Sequence, residues 1–207
     1  MLSRYLRPLS CIGLVVLLAG CWGGPSRVHP PGIDAGAAGV AAIEEYDTDG
    51  DGAISAEEAK GSIRQAFRKL DGAVEGTTPD GKVTAEEITA RINKWKESRV
   101  GRMSMQCTVR FRGSPLADAT VRFVPEKFLG DEIQAAVGTT DRNGTAVLSV
   151  PEAMPPGVAP GLYKVEISKQ MNGQEMIPAQ YNTQTILGQE VASDAIGMEA
   201  GIVFNLQ

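Results

Sequence analysis

Six residues that offer oxygen atoms stand at fixed positions within twelve residues, 47–58, called loop one below. Carboxylates fill its first, third and fifth positions, a glycine the sixth and a glutamate the twelfth. The six donors are Asp47, Asp49, Asp51, the backbone carbonyl of Ala53, Ser55 and Glu58. Carboxylates this close together repel one another unless a cation lies between them. Loop one is therefore either a solvated disordered run or a cation site.

The spacing in loop one favours the cation site, with calcium as the ion. The stretch matches the calcium-loop pattern D-x-D-x-D-G-x5-E without departure. In that pattern each aspartate gives one oxygen, Glu58 gives two, and Ser55 contributes directly or through water. Gly52 permits the sharp turn that the loop needs. Hard oxygen ligands in this number and flexibility favour Ca²⁺ over Mg²⁺.

The residues around loop one predict helices that would position it. Ile43 and Tyr46 lie three residues apart, which predicts an entering helix that ends where the loop begins. The run from Ser55 to Phe67 predicts an exiting helix that starts just before Glu58. Loop one is thus expected to connect two helices.

A second copy of this pattern follows at residues 71–87, called loop two. The segment DGAISAEE at 51–58 aligns with DGKVTAEE at 80–87, but five additional residues separate Asp71 from the next Asp-Gly pair. Its candidate donors are Asp71, Asp80, the Lys82 carbonyl, Thr84 and Glu87. Either Glu75 or the hydroxyls of residues 77–78 complete a looser second calcium shell, or loop two stays empty and supports loop one by packing.

This tandem arrangement resembles the EF-hand family over residues 34–100. In that family the residues at position eight of two loops pair as a short bridge, which implies that Ile54 lies beside Val83. Ile88, Ile92 and Trp95 recur at helical spacing and are expected to close the small core.

The chain changes from helical to alternating periodicity after Arg102, and this change predicts about seven strands separated by turn residues. The predicted strands cover residues 105–111, 119–125, 133–140, 145–150, 162–168, 185–192 and 201–206. We expect an α+β chain of two domains, with an EF-hand helix-loop-helix pair at 34–100 and a small antiparallel β-sandwich at 104–207.

The amino-acid sequence of the second half also resembles a known family. The segments GSPLADATVRFVPE, GTTDRNGTAVLSV and PGLYKVEISK are similar to the carboxypeptidase regulatory-like, or transthyretin-like, sandwich domains of exported bacterial proteins, which are Ig-like in architecture. The resemblance implies a module for folding, packing or adhesion without catalytic residues.

The first residues have the pattern of an export signal. Arg4 and Arg7 precede an apolar stretch at 9–19, which as a helix would span about 16 Å against a hydrocarbon core of roughly 30 Å. The following LAGC resembles the lipobox of bacterial lipoproteins. The resemblance implies a signal peptide at 1–20, a lipid on Cys21, a flexible tether over 21–33 and a membrane-anchored envelope protein, with the outer membrane or periplasmic face favoured. The alternative is a plain secretory signal.

Composition excludes several function classes. The formal net charge of −5 argues against nucleic acid as a partner. His29 is the only histidine, so a Ser/His/Asp or Cys/His catalytic site is not expected. Cys107 has no nearby soft ligand, which disfavours zinc.

These observations predict a non-catalytic, lipid-anchored calcium-binding protein whose β-sandwich presents a binding or scaffolding surface to an envelope protein partner. The alternative is a calcium sensor that regulates the docking of an envelope enzyme or transporter. All seven methionines lie outside residues 34–100, whereas sensor hands expose a Met-rich groove. This difference favours the structural role.

Overall fold

The computed structural model describes residues 28–207, which form three α-helices followed by a β-rich part. The helices are α1 (Ala35–Tyr46), α2 (Gly61–Leu70) and α3 (Ala85–Glu97), and two short strands, β1 (Ala53–Ser55) and β2 (Lys82–Thr84), lie between them. None of the helices in this part of the chain is long and apolar enough to cross a membrane. The predicted signal peptide and Cys21 lie outside the described residues.

Helix α1 packs closely on α3 because one of its faces consists of small residues. Asp34 caps the helix by accepting a hydrogen bond from the Ala37 amide at 3.0 Å. Gly39 faces α3 so closely that a Cβ at this position would lie 2.4 Å from the Ala85 carbonyl oxygen. The contact is reinforced by the Thr89 hydroxyl, which donates to the Ala35 carbonyl at 3.1 Å.

Helix α3 begins directly after β2 and carries the predicted apolar face. Thr84 and Glu87 form a capping box at its N-terminus. Ile88, Ile92 and Trp95 are all buried, which confirms their prediction as core residues.

Helix α2 begins later than the sequence predicted. The run 55–67 was expected to be one helix, but Ser55 ends β1, residues 56–58 form a turn and the helix starts at Gly61. Gly61 has a φ of 49° and forms a parallel bridge with Leu187. A Cβ on Gly188 would lie 2.0 Å from the Ser62 nitrogen. The two backbones are in direct contact here, and this tertiary contact overrides the local preference for a continuous helix.

The β-rich part contains a strand within each of the seven predicted segments. Its strands are β3 (Met105–Phe111), β4 (Ser114–Pro115), β5 (Thr120–Pro125), β6 (Ala136–Thr139), β7 (Thr145–Leu148), β8 (Gly161–Ser168), β9 (Gln170–Met171), β10 (Gln174–Glu175), β11 (Gly188–Val191) and β12 (Ile202–Leu206). One sheet has the order β11-β8-β5-β6. In the other, β3 pairs with β12, β4 and β7. The short strands β9 and β10 pair only with each other in the described part of the chain.

The expectation of an entirely antiparallel arrangement is wrong at one pair, since β12 runs parallel to β3. Alternating hydrophobicity indicates a strand but not the direction of its neighbour. Parallel neighbours need a crossover instead of a hairpin, and β12 reaches β3 only after the chain has built the other sheet.

The two sheets share a core that continues into the helices. Phe123 and Phe204 come from different sheets, and their rings meet edge to face at 6.2 Å. The sheets also join at one edge, where Val137 and Ser149 exchange backbone hydrogen bonds of 2.9 and 3.1 Å. Buried residues from all three helices belong to the same cluster.

A buried ion pair fixes α3 to β11. Arg91 is 1% exposed, and its Nε donates to Glu190 Oε1 at 2.6 Å. Its other two nitrogens hold Asp194 at 2.8 and 2.9 Å. The Trp95 indole donates to the same Glu190 oxygen at 2.9 Å. These charge-assisted contacts connect the helical part to the sheet directly.

A second buried carboxylate connects α1 and α2 to the same sheet. Glu126 is fully buried, and the Ser62 hydroxyl donates to its Oε1 at 2.6 Å. Lys164 Nζ lies 3.1 Å from Glu126 Oε2 and 3.2 Å from Glu45 Oε1. Burial raises the pKa of Glu126 despite the Ser62 and Lys164 contacts.

The last part of the predicted tether packs on the body of the molecule. Ile33 is 3% exposed, and its carbonyl accepts a hydrogen bond from Lys96 at 3.1 Å. A Cβ on Gly101 would lie 2.3 Å from the Val28 carbonyl oxygen. Residues 28–33 therefore lie against the end of α3 and the segment that follows it, which differs from a free tether.

Candidate metal centre

Loop one begins at an anchored helix end. Tyr46, the last residue of α1, is buried, and its ring meets Phe128 edge to face at 6.2 Å. The far side of loop one is held by β1, in which Ile54 pairs with Val83 of β2. This bridge confirms the predicted pairing of the two loops. Loop one is thus fixed at both ends before any ion is considered.

Three of the predicted ligands come together in loop one. Asp47, Asp49 and Glu58 each offer a carboxylate oxygen, and these oxygens all lie within 4.8 Å of one another. Within residues 28–207, no other set of three histidine, cysteine, aspartate or glutamate donors is gathered in this way. The three groups are close enough to bind one cation together.

The Asp47 carboxylate also organises the turn of loop one. Its Oδ1 accepts from the Gly50 amide at 2.7 Å, and its Oδ2 accepts from the Gly52 amide at 2.8 Å. Gly50 and Gly52 have φ values of 77° and 89°. Other residues adopt this left-handed conformation at a cost, so these glycines let the backbone curl around the carboxylate.

Glu58 closes loop one from the other end. Its Oε1 accepts from the amides of Thr48 at 2.6 Å and Asp49 at 3.1 Å, and its Oε2 accepts from the Ser55 amide at 2.9 Å. Hydrogen bonds from Ser55 and Thr48 lower the pKa of Glu58 from its ordinary value of 4.5 to about 2. The carboxylate therefore stays charged, as a metal ligand must.

The side chains of Asp51 and Ser55, which were also predicted donors, contact other groups. The Asp51 Oδ2 contacts the amine of Lys82, which belongs to loop two. The Ser55 hydroxyl donates to Glu58 Oε2 at 2.8 Å. The Ala53 amide donates to Asp51 Oδ1 at 3.0 Å, and Ala53 lies in β1.

Loop two repeats the hydrogen-bond frame of loop one, in which the first and last carboxylates accept hydrogen bonds from backbone amides. Asp71 accepts from the amides of Asp80 at 2.9 Å and Gly81 at 3.0 Å, as Asp47 does in loop one. Glu87 accepts from the amides of Gly72 at 2.6 Å and Thr84 at 2.9 Å, as Glu58 does. The first and last carboxylates therefore keep their places despite the five additional residues.

Loop two lacks a counterpart of Asp49. Asp80 accepts from the Lys82 amide at 3.0 Å, which matches the place of Asp51. The Thr77 hydroxyl, a predicted alternative donor, is bound to the Val74 carbonyl at 2.8 Å. The Thr84 hydroxyl donates to Glu87 Oε2 at 3.1 Å. The insertion separates Asp71 from Asp80 without supplying a third gathered carboxylate.

The side chain of Lys82 was missed by the sequence reasoning, which assigned only its carbonyl. The predicted pairing of Ile54 with Val83 contained the necessary signal. In an antiparallel pair with that register, Lys82 lies opposite Ser55, which is observed. A lysine at that position reaches the acidic groups of loop one.

The donor set of loop one consists of hard oxygen atoms, which suits Ca²⁺ or Mg²⁺ better than zinc or copper. Comparison with protein families gives a match to the EF hand over residues 40–58. This segment covers the end of α1 and all of loop one. No curated protein and no solved structure matches the chain.

Proposed function

We propose that this protein is a non-catalytic, calcium-binding lipoprotein of the bacterial cell envelope, in which one Ca²⁺ ion in loop one stabilises the helical part. The observation that carries the proposal is the gathering of Asp47, Asp49 and Glu58 within a segment that matches the EF hand. Three carboxylates supply up to six oxygens, and Ca²⁺ takes six to eight ligands in flexible geometry. The Ala53 carbonyl and water would complete the shell.

Loop two acts in this proposal as a structural partner without metal. Its first and last carboxylates are 9% and 8% exposed, and among the described residues no third carboxylate gathers with them. Its bridge to loop one holds the two loops in register. Calcium in loop one would then restrain β1, β2 and the end of α1 together.

Stabilisation by calcium follows from linkage. An ion that binds only the folded chain adds RT ln(1 + [Ca²⁺]/Kd) to the free energy of unfolding, about 2.7 kcal/mol at one hundred times Kd. For a chain of this size, that raises Tm by roughly 5–10 °C. An exported protein meets higher calcium concentrations than a cytosolic one, so a weak site suffices.

Thermal unfolding with a hydrophobic dye tests this role. Saturating Ca²⁺ should raise Tm relative to chelator, Mg²⁺ should raise it less, and dye fluorescence before unfolding should not change. A large calcium-dependent rise in dye fluorescence would instead support the sensor function. An unchanged Tm together with no calorimetric binding would contradict the proposal.

Membrane anchoring in the proposal is supported by the sequence LAGC at 18–21 after an apolar stretch. Several acyl chains, each worth about 0.8 kcal/mol per buried CH₂, would keep the protein on the membrane. Changing Cys21→Ser should release the protein into the soluble envelope fraction, with Cys107→Ser as the matched control. If the Cys21 variant stays in the membrane fraction, the protein is not anchored by a lipid at this residue.

The β-rich part is proposed to be a carboxypeptidase regulatory-like module that presents a binding or scaffolding surface to an envelope protein. The sequence resemblance over 105–207 supports this assignment, together with an arrangement of two packed sheets. Crosslinking in intact envelopes, with calcium and with chelator, tests whether a partner protein is present.

A further inference from the structure

Lys82 of loop two contributes a positive charge to loop one. Its amine contacts Asp51 Oδ2, and both side chains are partly exposed at 49% and 36%. Asp51 holds the fifth position of loop one, where a metal ligand was predicted. It is the one aspartate of loop one that is absent from the gathered group of Asp47, Asp49 and Glu58.

The position of Lys82 is set by rigid elements. Strand β2 begins at Lys82 and pairs with β1, and the central pair of this bridge, Ile54 and Val83, is fully buried. The Lys82 amide is also held by Asp80 at 3.0 Å. The Lys82 backbone is therefore fixed beside loop one, and its side chain is close enough to reach Asp51.

A divalent ion in loop one would share this space with the lysine charge. Even where Asp51 coordinates the ion through its other oxygen, the Lys82 amine neutralises part of the Asp51 charge that attracts the ion. The amine would then lie near the doubly charged ion and repel it.

We infer that Lys82 is a built-in competing cation, which weakens metal binding at loop one by pairing with Asp51 and by repelling the ion. This inference rests on the proposed calcium site and specifies how its affinity is set. Loop two thus regulates the affinity of loop one without binding metal itself. The mechanism adapts the site to surroundings rich in calcium, where a tight site would be saturated at all times.

Calcium titration calorimetry of the full chain and of Lys82→Met tests the inference. Methionine keeps the length of the stem and removes the charge, so we expect Ca²⁺ affinity to increase on the order of 10-fold at low salt. The gain should shrink at 0.5 M salt because ionic strength screens exposed charges. Lys82→Arg should remain within about 2-fold of the original chain, since it keeps the charge.

Two further variants separate the local contact from overall charge. Lys127→Met removes one positive charge from an exposed lysine outside the loops and should leave the affinity unchanged. In an Asp51→Asn background, Lys82→Met should have a smaller effect than in the original chain, because part of its action passes through Asp51.

The outcomes distinguish this inference from the proposed function. If the original chain binds calcium and Lys82→Met binds it equally or less tightly, the inference is wrong and the calcium site stands. If only Lys82→Met binds calcium, the inference is supported in its strongest form. If neither chain binds calcium, the proposed function and the inference are both wrong.

Discussion

Loop one and loop two are closed by the same hydrogen-bond frame but differ in the carboxylates that it holds. In each loop the first aspartate binds two amides across the turn, and the last glutamate binds amides from both ends. Loop one adds Asp49, whereas loop two has five additional residues in that region. The hydrogen-bond frame therefore folds a loop of either length, and the third carboxylate gives loop one the three gathered groups that could hold a metal ion.

The two loops also lead into their helices differently. Thr84 and Glu87 of loop two cap α3, which starts at once. Ser55 and Glu58 of loop one make similar contacts, yet the chain forms only a turn before α2. The helix is delayed where the backbone meets Gly188. Similar capping residues thus lead to helices that start at different points when the tertiary contacts differ.

The largest expected effect comes from exchanging the last glutamate of each loop for glutamine. Glu58→Gln should weaken Ca²⁺ binding by about 100-fold or more, because changing even an outer-shell partner costs 10–100-fold. The matched Glu87→Gln should change the affinity of loop one by only a few-fold. Titration calorimetry of both variants measures the difference. Equal losses of affinity in the two variants would contradict the assignment of the metal to loop one.

Shortening loop two should create a second site. Replacing residues 71–81 with the six residues of 47–52 removes the insertion and restores a third carboxylate, while Lys82 is retained. Calorimetry should then give two Ca²⁺ ions per chain instead of one. Circular dichroism serves as the control for folding. A folded variant that still binds a single ion would show that the third carboxylate is not the decisive difference.

Stability without metal should depend more on loop two than on loop one. Glu87 is 8% exposed, so Glu87→Gln places an amide NH₂ against half-buried amide donors and should cost about 1–3 kcal/mol. Glu58→Gln should cost less in chelator, since its neighbours can bind water. Urea unfolding of both variants measures the two costs. A larger cost for Glu58→Gln than for Glu87→Gln would mean that loop one contributes more than loop two to stability without metal.

The smallest expected effect is on the free energy of unfolding at low pH, measured with a chelator so that no calcium is bound. The pKa of Glu58 is lowered from 4.5 to about 2 in the folded chain. Between these values the unfolded state binds more protons, so the stabilisation from Glu58 is present above pH 4.5 and is lost as pH falls toward 2. The free energy of unfolding should therefore fall less steeply over this window in Glu58→Gln. Parallel slopes for the two chains would contradict the hydrogen-bond assignment.

Local patterns in the sequence predicted much of this structure. The loop spacing predicted the segment that matches the EF hand, the resemblance to that family implied the Ile54–Val83 bridge, and period-two alternation predicted all seven strand segments. These features depend on residues close in sequence or on a fixed spacing between two copies.

Contacts between distant residues could not be predicted in the same way. The Arg91–Glu190 pair joins residues almost one hundred positions apart, and neither residue has a local pattern that identifies its partner. The parallel pairing of β12 with β3 and the late start of α2 beside Gly188 also depend on residues that lie far apart in the sequence. The partner of Asp51 was an intermediate case, because the predicted bridge already implied where Lys82 would lie.

Calcium titration calorimetry of the unmodified full chain tests the central claim most directly. We predict one Ca²⁺ ion per chain, with binding weakened by about 100-fold or more in Glu58→Gln and retained in Glu87→Gln. Two ions per chain would contradict the assignment of loop two as an empty partner. No measurable binding by the folded chain or by Lys82→Met would contradict the account as a whole.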